Sequence, residues 1–184
     1  DKYNLYIHPK YPEKVTWKKK HIINNLVETS WGFIVKAYIE LLKEAYKDKD
    51  NIKFVTISES DVPFQSFDQF YNDVIKDERS WIKFMPIKKY NWKVRIDSQP
   101  KKGRPPHMIK HYARFCLNQN HVNELLSKKN KDYLNFFYNM HVGDEFFLST
   151  IAPINHVKNF AVTYDDWDYV HELGLKIKVE KKKY

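Results

Sequence analysis

Three short segments carry the side chains able to do chemistry. Gly143-Asp144-Glu145 places two adjacent carboxylates ahead of Phe146, Phe147 and Ile151, so Glu145 falls in the first turn of an expected helix. Backbone N–H groups and the helix dipole there favour an ionised carboxylate. An ionised glutamate at the mouth of a sheet is a candidate general base for taking a hydroxyl proton. Acidic residues also cap helices with no further duty, and on the segment alone capping is the expected reading. Glu59 and Asp61, in Thr56-Ile57-Ser58-Glu59-Ser60-Asp61, have the carboxylate-x-carboxylate spacing of a clamp for a hard divalent cation. Hydrogen bonds to the turn backbone account for that spacing equally well. Ser30-Trp31-Gly32 precedes a helical pattern, and Gly32, like Gly143, is one of only four glycines, which points to turn geometry or close backbone approach.

The other candidates reduce to packing. His107 and His111 are four apart, but they lie beside Pro105-Pro106 without a nearby acidic partner, so a zinc site is not expected. Cys116, between Phe115 and Leu117, reads as a small buried residue. Asp165-Asp166-Trp167-Asp168 is a second acidic cluster with the same ambiguity as Glu59 and Asp61. No glycine-rich phosphate cradle occurs, so a nucleotide would be held by other means.

These segments need elements to position them. Ile52-Lys53-Phe54-Val55 predicts a strand over 52–57 that delivers Ser58 to Asp61 at its carboxyl end, where open α/β sheets bind ligands. Leu5-Tyr6-Ile7-His8 predicts a short strand stopped by Pro9, and 22–27 another. Phe33, Ile34, Ala37, Tyr38, Leu41, Leu42 and Ala45 recur at helical spacing, with Thr29 or Ser30 as cap and Lys36–Glu40 as an outer pair. Ser66-x-x-Gln69 is a capping box ahead of Phe70, Val74 and Ile75. Strand and helix alternate, which implies a mostly parallel sheet. Residues 81–106 read as irregular, 112–117 as a strand, 119–126 and 133–138 as helices, 160–163 as a late strand and 175–179 as an alternating tail. With neither repeat nor low-complexity linker, residues 1–184 form one domain on this reading.

Composition narrows the function classes. At 184 residues, 42% apolar and 16% aromatic, the chain can bury a substantial core. No apolar run reaches the roughly 18 residues of a membrane span, and no signal peptide is visible at Asp1-Lys2-Tyr3. A lone cysteine excludes an internal disulfide and points to a reducing compartment, cytoplasmic or virus-associated rather than a secretory lumen. The net charge of +9 invites a nucleic-acid reading. Only four basic residues are arginines, the side chain that reads bases, and no recognition motif is present, so nucleic acid is not the expected partner.

In order and spacing these pieces resemble the core-2/I-branching glycosyltransferase family, with its β-1,6-N-acetylglucosaminyltransferase and xylosyltransferase relatives. Leu5-Tyr6-Ile7-His8 looks like its strand ending in histidine, and Thr29-Ser30-Trp31-Gly32 like its small-x-Trp-Gly/Ser segment. Phe54 to Phe64 is similar to the Leu-Ser-Glu-Ser-x-x-Pro-Leu signature of the plant and microbial branch. Phe115 to Val122 resembles the strand and helix after the family's Ser-x-Trp segment. Asp144-Glu145 matches the Asp-Glu of the catalytic segment, and Val162-Thr163-Tyr164-x-Asp166-Trp167 the Thr-Tyr-x-Asp-Trp element.

The resemblance implies a GT-A-like, Rossmann-like α/β fold and an inverting transferase that uses a UDP-sugar donor and a glycan or glycoprotein acceptor. It makes Glu145 the general base and sets His8, Ser30 and Trp31 near the nucleotide. Lys176 and Lys178 become candidates to neutralise the departing diphosphate without a metal, although a solvated edge-strand stripe explains them as well. Glu59, Asp61, Trp92, Arg95 and Asp144 would line the acceptor side. No cofactor beyond the donor is expected. The family's usual first strand and helix do not precede Leu5, Pro9 follows the histidine, and Gln119 and Ala113 replace an arginine and a polar residue. These departures keep a non-catalytic, glycan-binding relative as the alternative.

Overall fold

The computed structural model describes residues 2–16, 18–63, 65–85, 102–106, 108–148, 157–159 and 162. Four strands, β1 (Lys53–Val55), β2 (Ser80–Met85), β3 (Lys110–Asn118) and β4 (Val157–Lys158), form one sheet in the order β1-β3-β2-β4. β3 runs antiparallel to both β1 and β2, and β4 runs parallel to β2, so β1, β2 and β4 share one direction and β3 is reversed between them. The mostly parallel sheet implied by strand–helix alternation is met only in part. β1 and β2 share a direction but do not pair, and two of the three pairings are antiparallel because β3 inserts between them. β3 takes the centre because Phe115, Cys116 and Leu117 are a continuous apolar run, each fully buried, and such a run needs cover on both faces.

The two faces are covered differently. Phe115 and Leu117 join a core built with α1 (Val35–Ala45) and with Phe137, Phe146 and Phe147. Cys116 belongs instead to a small cluster with Val74 of α2 (Phe67–Lys76) and Trp81. Burial pushes its thiol up to about 12, so it stays protonated and serves as packing. α3 (Gln119–Leu125) follows β3 directly, its first turn capped by the Asn118 side chain, which accepts from the His121 amide at 2.9 Å. α4 (Lys131–Tyr138) then buries Leu134, Phe136 and Phe137.

Several local expectations need correction. Residues 80–85 are strand, not irregular: Ser80, Trp81 and Ile82 are all buried, so the stretch lacks the in–out alternation of a half-exposed strand. The two short strands expected at 5–8 and 22–27 reduce to a single parallel bridge between Ile7 and Ile22. α1 begins at Val35 with no side-chain cap, because Ser30 is used in a turn upstream. Glu40 pairs with Lys43 at 2.6 Å rather than with Lys36, and also accepts from Asn25. The segments expected as a late strand and an alternating tail lie outside the described residues, apart from Val162.

The capping box at Ser66 is present: its Oγ accepts from the Gln69 amide at 3.2 Å. Ser66→Ala is expected to lower the unfolding free energy by about 1 kcal/mol, and Ser66→Asp by much less, in chemical denaturation.

Candidate active site

β1 and β2 end at the same edge of the sheet, and the reversed β3 begins there, with Lys110 opposite Met85. Three loops meet this edge. The first continues β1. Thr56 extends the pairing past the strand, its Oγ1 accepting from the Phe115 amide at 2.9 Å and its own amide donating to Phe115 O at 3.0 Å. Asp61 closes the turn that follows, with Oδ2 accepting from the Ser58 amide at 2.7 Å. The same oxygen accepts from Arg114 Nε of β3 at 3.0 Å. Burial opposes ionisation of Asp61, yet the Ser58 amide and Arg114 outweigh it and hold the carboxyl below its usual range. Asp61 is therefore a brace for the turn, with its charge met by a guanidinium rather than left open for a cation. Glu59, at the tip, is exposed.

Arg114 reaches further. Its Nη1 donates to the Tyr38 hydroxyl on α1 at 3.0 Å. Burial pushes the Tyr38 phenol up to about 12, so its oxygen meets the guanidinium as a neutral acceptor. The Tyr38 ring stacks on Phe147 and meets Phe115 edge-on, which ties the polar end of this side chain to the core.

The second loop is Ser30 to Phe33. The Phe33 amide donates to Ser30 O at 2.9 Å, and Gly32 has φ +78°, the left-handed conformation that the third residue of a type II turn requires. Gly32 O accepts from the Val142 amide at 2.7 Å, and a Cβ on Gly32 would lie 2.7 Å from His141 Cδ2. The rings of Trp31 and Phe33 lie 5.0 and 5.5 Å from that of His141. Trp31 is 79% exposed, leaving most of its indole open beside the third loop. His8 is half-buried and fastens the approach to this loop, its Nε2 accepting from the Val27 amide at 3.0 Å.

The third loop carries the carboxylates. Gly143–Glu145 is one turn of 3-10 helix, shorter than the helix expected, so stabilisation of Glu145 by a full helix dipole does not apply. Val142, ahead of it, has φ +55°, a strained conformation for a β-branched residue. Phe146, Phe147 and Leu148, all fully buried, hold the turn from the other side. His111 is buried here too, its Nε2 accepting from the Leu148 amide at 3.2 Å and its Nδ1 donating to Tyr112 O at 2.8 Å. Burial lowers its pKa to about 4, so it is a neutral packing residue.

Asp144 is 7% exposed, and Oδ1 finds no hydrogen-bond donor among the described residues. Burial raises its pKa to about 6, and the charge of Glu145 adds to that. Its own backbone amide, Arg114 and His141 pull the other way. Glu145 Oε2 is also buried and lies 3.1 Å from Lys110 Nζ, a close charge pair not aligned as a hydrogen bond.

The structure thus brings Ser30, Trp31, Asp61, Asp144 and Glu145 to one edge of the sheet, with Glu59 on the same turn as Asp61 and His8 supporting the Trp31 loop. Trp92, Arg95, Lys176 and Lys178 lie outside the described residues. Sequence reasoning passed over Lys110, Arg114, Tyr38 and His141. For Arg114 a signal existed: a guanidinium inside an otherwise apolar strand must have a partner. Among the described residues, no group of three or more His, Cys, Asp or Glu side chains is disposed to hold a metal ion. No described helix is long and apolar enough to cross a membrane.

A family model described as Core-2/I-Branching enzyme matches residues 1–183. The chain belongs to the core-2/I-branching enzyme family. Its activity is accordingly that of a glycosyltransferase, with a sugar donor and an acceptor as substrates. The helix-flanked open sheet is consistent with a GT-A-like fold. No curated protein matches the chain.

Two outcomes follow for the carboxylate turn. A Cβ on Gly143 would sit 2.5 Å from the Phe137 carbonyl oxygen, so Gly143→Ala must displace backbone. A loss of about 1–3 kcal/mol in unfolding free energy is expected. Asp144 holds its proton to about pH 6 in the folded chain but to only 3.8 ordinarily, so the folded state binds more protons between those values. Raising the pH through that window therefore costs stability. Asp144→Asn is expected to be the more stable form above about pH 7, by on the order of 2–3 kcal/mol, with the difference vanishing near pH 4. Paired melts of the two proteins cancel the opposite contribution of His111, which destabilises the fold as pH falls from 6.5 towards 4.

Proposed function

We propose that the chain is an inverting glycosyltransferase that moves a sugar of the N-acetylglucosamine or xylose class from a UDP-sugar to a hydroxyl of a carbohydrate or glycoprotein. Glu145 is the general base. It takes the proton of the acceptor hydroxyl as that oxygen attacks the anomeric carbon from the face opposite the diphosphate. The bond from the anomeric carbon to the diphosphate oxygen breaks, UDP departs, and configuration inverts. Charge growing on the diphosphate needs a preorganised positive partner, a role assigned to Lys176 and Lys178. His8, Ser30 and Trp31 are assigned to the nucleotide side, and Glu59, Trp92, Arg95 and Asp144 to the acceptor, with Asp61 as the brace beneath them.

The observation that carries this reading is the pair of buried carboxylate oxygens, Asp144 Oδ1 and Glu145 Oε2, neither with an aligned donor among the described residues. Buried acceptors without donors are costly, and a polyol carries several hydroxyl donors. The commitment of Asp61 to Arg114 supports a mechanism without a metal. Lone, buried Cys116 supports work in a reducing compartment.

A glycan-binding protein without turnover is the competing reading. It is favoured by the Lys110 contact, because that Glu145 oxygen already faces an ammonium instead of an acceptor hydroxyl. Transfer assays with UDP-N-acetylglucosamine and UDP-xylose separate the two. Glu145→Gln is expected to lower kcat by about 100- to 10,000-fold while donor KM holds, and EDTA to leave the rate unchanged. Glycan binding without transfer, equal in both proteins, would establish the competing reading.

A further inference from the structure

We infer that Lys110 is a positioning residue for the proposed base: its ammonium, 3.1 Å from Glu145 Oε2, holds that oxygen against β3 so that the carboxylate keeps one orientation towards the acceptor hydroxyl. This rests on Glu145 being the base. The backbone around Glu145 is pinned by Gly143 against Phe137 and by the buried Phe146, Phe147 and Leu148. Its side chain is only partly enclosed, with 28% of it exposed, and its three rotatable bonds leave the carboxylate freedom that backbone packing alone does not remove. A base must sit within hydrogen-bond reach of the proton it takes, so an unheld carboxylate spends much of its time out of line.

Lys110 answers that need from a rigid place. Its side chain is only 12% exposed, and its backbone is paired with Met85 in the sheet. The charge pair joins two neighbouring elements, β3 and the Gly143–Glu145 turn. The imperfect alignment of Nζ and Oε2 fits a site awaiting substrate, where catalytic contacts tighten on binding.

The test uses the full chain as Lys110→Met, which keeps the apolar stem, and Lys110→Arg, which keeps the charge. Glu145→Gln and the Lys110→Met/Glu145→Gln double variant complete the set. Hydrolysis of UDP-N-acetylglucosamine and UDP-xylose, with water as acceptor, gives kcat and donor KM. Lys110→Met should lose about 10- to 100-fold in kcat with donor KM within about twofold. Lys110→Arg should recover most of that loss, and the double variant should be no slower than Glu145→Gln alone. A Lys110→Met enzyme at wild-type kcat beside an inactive Glu145→Gln overturns the positioning role and leaves the base assignment standing. A fully active Glu145→Gln overturns both. Crystal structures of wild type and Lys110→Met decide the matter independently of turnover. The Glu145 carboxylate should leave its single orientation when the ammonium is gone, and an unchanged orientation overturns the inference.

Discussion

Arg114 is the side chain on which the candidate site depends. It lies on the central strand, takes the Asp61 carboxylate with Nε and the Tyr38 hydroxyl with Nη1, and its charge acts on Asp144. One guanidinium thus joins the turn after β1, helix α1 and the carboxylate loop. A planar group with several donors in a fixed fork suits this span, and a lysine there would keep the charge but not the fork. The pair with Asp61 is partly buried on both sides, so solvent screens it less than a surface ion pair. Removing either partner would leave the other charged and half-buried.

The second organising constraint is the reversed direction of β3. A central strand antiparallel to its neighbours begins where they end. Its first residues, Lys110 to Arg114, therefore lie at the edge where β1 and β2 release their loops. Two cations are delivered to two carboxylates, Lys110 to Glu145 and Arg114 to Asp61, by one strand. An all-parallel arrangement would put the amino end of that strand at the opposite edge, away from the acidic turns.

Much of this was legible in the chain itself, and what escaped has physical reasons. The capping box at Ser66, the apolar run Phe115 to Leu117 and the amphipathic pattern of α1 each follow from local periodicity or local hydrogen bonding. The turns at Ser30 to Phe33 and after β1 were recognisable because Gly32 and Pro63 sit between such patterns. Gly143–Glu145, by contrast, was expected to open a helix and forms a single 3-10 turn. The insertion of β3 between β1 and β2 was not legible, because strand order is set by long-range pairing that alternation does not encode. β2 was missed because its first three residues are all buried, with Trp81 and Ile82 packed on opposite, covered faces of the sheet, so no in–out alternation marks it. The role of Asp61 was ambiguous for a different cause. Two carboxylates one residue apart look the same whether they await a metal or brace a turn, and only the arrival of Arg114 from fifty-three positions away decides which.

Val142 shows what holding the carboxylates in place demands. Its backbone is in the left-handed region although its side chain is branched, and the chain tolerates this because Gly32 O grips its amide and its side chain is buried. The loop is thus a loaded spring latched by its surroundings, and warming should loosen the latch before it melts the sheet. Heat would then abolish the role proposed for these carboxylates while the circular dichroism still reads as native.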